Sequence, residues 1–177
     1  MILVAVVLVI LGTMLAPRMA GATRGRFTAA VEGIATSMAT FAFHEATDDR
    51  PVALAYRAND RRIDVLVLRS LDGDGGGAEW RPMPMAPSVI LPDDFNFVRV
   101  TVDQALLDPA DWFIPTPPSG RRPDVRLRIE SETGDGAEIV LTPHALAPQI
   151  VRDGDAKAPY IREAADLDAM GAGRESW

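Results

Sequence analysis

The sequence predicts an α+β protein, a long N-terminal helix packed on an antiparallel β-sheet or sandwich head. Three observations predict it. Residues 1–16 carry no charge; Phe27, Val31, Ile34, Met38 and Phe41 recur at alternating spacings of four and three; and beyond residue 50 the apolar period shortens to two. The organisation follows from these: an apolar helix over 1–16, a helical stem over 17–47, a β-rich head over 48–151 and a flexible tail over 152–177.

The opening stretch, MILVAVVLVILGTMLAPRM, places Met1, Ile2, Leu3, Val4, Val6, Val7, Leu8, Val9, Ile10, Leu11, Met14 and Leu15 ahead of Pro17 as candidates for a membrane-embedded helix. A span needs about 20 apolar residues to cross roughly 30 Å of hydrocarbon. Met1–Ala16 covers about 24 Å at the helical rise. A signal peptide needs a basic n-region, but here the apolar run starts at Met1. Arg18, Arg24 and Arg26 follow the run, and the positive-inside tendency would hold them in the cytoplasm unless a basic leader opposed it. The stretch reads as part of a longer one, extended upstream by about five apolar residues. Pro17 has no N–H to donate, so a kink or local loosening is expected there.

In the stem, Phe27, Val31, Ile34, Met38 and Phe41 form one stripe, with Thr28, Glu32 and Thr36 off it. The stripe is expected to pack on a sheet, while Gly21, Gly25 and Gly33 weaken the helix. Strands follow. PVALAY puts Val52, Leu54 and Tyr56 on one face, and IDVLVL is apolar on both faces apart from Asp64, as a central strand should be. FVRVTV is expected to bury Val98, Val100 and Val102. VRLRIE turns Val125, Leu127 and Ile129 inward and Arg126, Arg128 and Glu130 outward; SETGDG then makes a hairpin into AEIVL. LDGDGGGAEW reads as a flexible tip, and RPMPMAPSVILPDD and IPTPPSGRRPD as long exposed loops. The tail shows weak periodicity, with a helical turn or two expected near Ile161–Met170.

Composition narrows function by exclusion. Residues 48–151 carry eleven Arg against seventeen acidic groups, and the whole chain is −7, a balance that repels phosphate backbones. With no cysteine there is no disulfide, thiolate or Cys-based zinc site. His44 and His144 are too few for a catalytic zinc site without acidic help. No Gly-x-Ser-x-Gly elbow, phosphate loop or dinucleotide fingerprint is present, so neither catalysis nor a cofactor is expected. Asp72–Gly77 resembles a calcium loop, but its twelfth position falls on Met83, which has no carboxylate. Arg121 and Arg122 are the speculative nucleic-acid contacts. Arg126 and Arg128 read as a solvated strand face, and nucleic-acid binding is not expected. Trp80, Trp112 and Phe113 sit beside proline-rich loops and read as loop-anchoring core residues in preference to a partner surface.

The apolar opening with its proline, and FAFHEATDDRPVALAY with Glu45, Ala46, Arg50, Pro51 and Val52, resemble the type IV pilin-like family, particularly the H-type minor pseudopilins of type II secretion systems. The family begins with a basic leader, a cleavage glycine and Phe-Thr-Leu-x-Glu. The resemblance implies that Met1 falls just after that glutamate, with the methylated Phe and the true start upstream. It further implies a non-enzymatic filament subunit, single-pass in the bacterial inner membrane, its head in the periplasm. Expected partners are other pseudopilins, the inner-membrane secretion platform and the lipid bilayer. Two alternatives stay open: a minor pilin of a pilus or DNA-uptake system, and an unrelated signal-anchored periplasmic β-domain that binds a partner.

Overall fold

The spine of the molecule is one helix, α1, spanning Ile2–Thr47 and assigned helical straight through Pro17. The computed structural model describes residues 2–70, 77–117 and 121–155, with side chains from residue 23 onward. The apolar side chains expected to enter a membrane, the candidate calcium loop up to residue 76, and the tail beyond 155 with its expected turns near Ile161–Met170 lie outside the described residues. Among the described residues no helix is long and apolar enough to cross a membrane.

From Phe27 onward α1 is amphipathic in its packing. Phe27 is 4% exposed and Val31, Ile34, Met38 and Phe41 are 0% exposed, with Ala30 and Ala42 widening the buried stripe. Each large side chain removed from water contributes about 1.5–3 kcal/mol before entropy is charged. Gly33 has a packing reason to be small: a Cβ there would stand 3.2 Å from Val89 Cγ1, on the strand segment that crosses the helix.

Among the described residues ten strands form two antiparallel sheets. The first runs β3 (Ala78–Pro82), β2 (Arg62–Ser70), β1 (Val52–Arg57), β7 (Asp111–Pro115), with β4 (Val89–Ile90) also paired to β2. The second runs β10 (Gln149–Arg152), β9 (Gly136–Leu141), β8 (Val125–Ser131), β5 (Phe95–Val102), β6 (Ala105–Leu107). The helix packs on β1, β2 and β4 of the first sheet and on β9 and β10 of the second. One continuous core joins all three layers. At its centre Tyr56, Phe97 and Trp112 bring β1, β5 and β7 together, and Phe27 meets Phe95 edge to face at 5.4 Å.

The alternation in β1 and β8 is as read: Val52, Leu54, Tyr56, Val125, Leu127 and Ile129 are all buried. In β5 one expectation fails. Val98 is 46% exposed, while Phe95 and Phe97 are buried alongside Val100. The register against β8 shifts between Phe97 and Arg99. This bulge inserts one residue, so Phe97 and Val100 face the same way despite an odd spacing, and Val98 is expelled. Strands also occupy segments read as loops: β3 follows the glycine-rich tip, β4 lies in the proline-paced stretch, and β7 takes the start of the long connection. The head also runs past residue 151. Asp153 N–H donates to Gly136 O at 2.9 Å, and Asp153 pairs with Arg128 on β8.

Three turns place non-glycine residues in the left-handed region, one of them at Met85, φ 69°, after β3. Asp103 and Gln104, at φ 47° and 70°, form the two-residue hairpin joining β5 to β6, which demands the left-handed region at both positions. Arg61, at φ 47°, closes the β1–β2 hairpin. Its guanidinium donates to Leu91 O at 3.1 Å, Pro92 O at 2.7 Å and Phe95 O, so it organises the neighbouring loop while adopting an unfavourable backbone.

Candidate functional site

Two places on the head gather side chains in ways that packing alone does not require: the junction where α1 ends, and the outer face of the first sheet. At the junction Arg122 is 2% exposed. Its Nη1 donates to Ala42 O at 3.2 Å and to Glu45 Oε2 at 3.2 Å, both on the last turns of α1. Its Nη2 donates to Thr142 O at 3.1 Å and to Ala145 O in the loop between β9 and β10. A cation near a helix C-terminus meets the negative end of the helix dipole. Burial lowers the Arg122 pKa, and Glu45 opposes that shift. Arg122 thus clamps the helix end to the second sheet, and its planar fork serves two segments at once.

This corrects one expectation. Arg122 is not an exposed phosphate contact, because its guanidinium is enclosed and committed to four protein acceptors. Arg121 is exposed beside it. On β8, Arg126 pairs with Asp124 at 2.8 Å, and Arg128 pairs with Glu130 at 3.1 Å and with Asp153 at 2.5 Å. Three of the four arginines of SGRRPDVRLR therefore have acidic partners within the molecule. His44 accompanies Asp48 at 2.9 Å, while His144 lies exposed on the β9–β10 loop. Among the described residues no group of three or more potential ligands is placed to hold a metal ion.

The outer face of the first sheet is built differently. Ala53 and Ala55 on the central strand β1, with Leu66 on β2, make a low floor that is at most 8% exposed. Over it Trp80 from β3 and Phe113 from β7 meet edge to face at 5.2 Å. A groove of about 490 Å³ runs beside the pair, with Arg57, Asn59 and Asp111 at its polar end. Phe113 is 43% exposed. All three aromatics, Trp80, Trp112 and Phe113, are expected from the sequence as loop-anchoring core residues. The structure separates them: Trp112 is a core residue at 5% exposure, and the other two form a surface pair. The available signal was the period-two alternation in DWFIP, masked by the proline-rich sequence that follows.

The five stem residues sit together in the core, whereas the apolar residues before Pro17 lie outside the described side chains. The chain matches no family model and no curated protein sequence. Among solved structures it is similar to the minor pseudopilin EpsH from the type 2 secretion system of Vibrio cholerae, at 14% identity and a TM-score of 0.49, covering 72% of this chain and 98% of that one.

Proposed function

We propose that this protein is a non-enzymatic structural subunit of the minor pseudopilin kind, acting in bacterial type II secretion. One observation carries the reading: a single helix begins in a charge-free sequence and ends with one buried stripe as the spine of a two-sheet head. By this reading residues 1–16 reside in the inner membrane before assembly and in the filament core afterwards. Residues 17–47 form the stem, and the head supplies contacts to neighbouring pseudopilins in the periplasm. The Arg122 clamp suits that role, because a subunit drawn by its helix must pass the load to its head. The motive force comes from the secretion platform, not from chemistry in this chain.

The test is fractionation of cells expressing the full chain. Expected are retention in the inner membrane after alkaline extraction, a head digested by protease added to spheroplasts, and co-purification with other pseudopilins. A chain found in the soluble cytoplasmic fraction overturns the reading. For the DNA-uptake alternative, retardation of DNA lost on Arg121→Ala would be required; the paired arginines of β8 argue against it.

A further inference from the structure

The β7 edge of the first sheet is self-complementary, and we infer that two copies of this chain join there, β7 against β7 in antiparallel register centred on Phe113. The main-chain geometry supports this. Thr116 N–H donates to Val52 O at 2.9 Å, and β7 pairs with β1 in the register Ile114 to Leu54 and Trp112 to Tyr56. Thr116, Ile114 and Trp112 therefore spend their main-chain groups on β1, and Asp111, Phe113 and Pro115 turn theirs outward. Among the described residues no other segment takes them up, and all three residues are exposed.

The outward pattern selects a second copy. With Phe113 opposite Phe113, each donates to the other's carbonyl, and Asp111 N–H of each copy meets Pro115 C=O of the other. Pro115 has no N–H, so it adds an acceptor and leaves no donor stranded. No like charges face each other, since Asp111 stands opposite a proline and has Arg57 beside it on β1. Side chains of opposed residues share a face, so the two Trp80–Phe113 pairs become one row of four rings on the outer surface. Other edges offer less. Every residue of β3 is at least partly exposed, so that strand is not fixed by the core, whereas Trp112 and Ile114 hold β7 at 5% and 2% exposure. β6 has three residues with one outward position, and β10 runs into residues beyond 155. The inference is independent of the filament reading, as it needs only this edge.

The chain has no cysteine, so single introduced cysteines report the register directly. The opposed Cα atoms would lie about 5.5 Å apart, within disulfide range, while Asp111 to its own copy would be about 14 Å. With the full chain in detergent under mild oxidation, Phe113→Cys alone is expected to give a covalent dimer. Asp111→Cys alone should not, but an equimolar mixture of Asp111→Cys and Pro115→Cys should. Adding Phe113→Pro to both partners should reduce that mixed cross-link at least tenfold, with far-UV circular dichroism unchanged, because the lost N–H points outward. Absence of every cross-link overturns the inference, including the case in which another protein's strand occupies the edge. So does Asp111→Cys alone linking as readily as the mixture, or Leu106→Cys on the β6 edge matching Phe113→Cys, either of which means association elsewhere.

Discussion

The two sheets share one core and differ in what they turn to solvent. The first presents aromatic rings over an alanine floor, with Phe113 partly exposed. The second presents Arg126 paired with Asp124, and Arg128 paired with Glu130 and with Asp153 just past β10. The aromatic face gains when another apolar surface covers it, because association removes its rings from water. The charged face is already satisfied within the molecule and would lose hydration on being covered. Of the two, the first sheet is the face suited to meet another protein.

The same contrast exists within one residue type, and it ranks the consequences of mutation. Arg122→Ala should cost the most, about 3–5 kcal/mol, since it removes the buried partner of Glu45 and the donor to the carbonyls of Thr142 and Ala145. Arg126→Ala, removing a half-exposed arginine from its pair with Asp124, should cost less than about 1 kcal/mol. Chemical denaturation of the full chain in detergent compares them, and equal losses would erase the distinction between clamp and solvated face.

Trp80→Ala tests the first sheet's outer face. It uncovers Ala53, Ala55 and Leu66 and should destabilise by about 2 kcal/mol, less than a full core truncation because the ring is only partly buried. A shift in melting temperature with the core spectroscopic signature unchanged is the expected result. A stabilising change should come from the second sheet: Gln104→Gly relieves a positive φ and should add about 1 kcal/mol. Ser37→Ala should be neutral or stabilise by about 0.5–1 kcal/mol, because the hydroxyl is buried without a partner and alanine is the better helix former.

The smallest effect is acid dependence. Hydrogen bonding from Arg128 lowers the Asp153 pKa from its ordinary 3.8. A depressed carboxylate pKa stabilises the fold above its unfolded value, and that contribution disappears as pH falls through the folded value. The carboxylate is 49% exposed, so screening holds the gain below about 1 kcal/mol. Asp153→Asn should therefore lower the melting temperature slightly at pH 7, by an amount that shrinks as pH falls through the folded-state pKa. The bridge also explains Gly136, where a Cβ would collide with Asp153 Oδ2 and Arg128 Nη2.

Much of the architecture was legible because it rests on periodicity. Phe27 to Phe41, Val52 to Tyr56 and Val125 to Ile129 are spaced so that each element has one dry face, and the burial of these residues follows. The Val98 expectation failed because alternation assumes an uninterrupted pleat, and a bulge is set by the partner strand, not by local composition. β3, β4 and β7 were hidden by glycine and proline around them. Short strands at sheet margins are stabilised by the strand they join, so their own sequence carries a weak signal. Arg122 was misread for the opposite reason: it follows the exposed Arg121 in a loop-like stretch, while two of its partners lie 77 and 80 positions away on α1.

By itself the sequence determined that a helix would precede a sheet-built head, and which stripe of that helix would be dry. Local periods follow from backbone geometry, which depends only on neighbouring residues. Only the tertiary structure decided that Arg122 would be enclosed, that Trp80 and Phe113 would meet above two alanines, and that β7 would be left as an edge. Each of those outcomes depends on which distant segment arrives alongside, and that is settled by how the layers close on their common core.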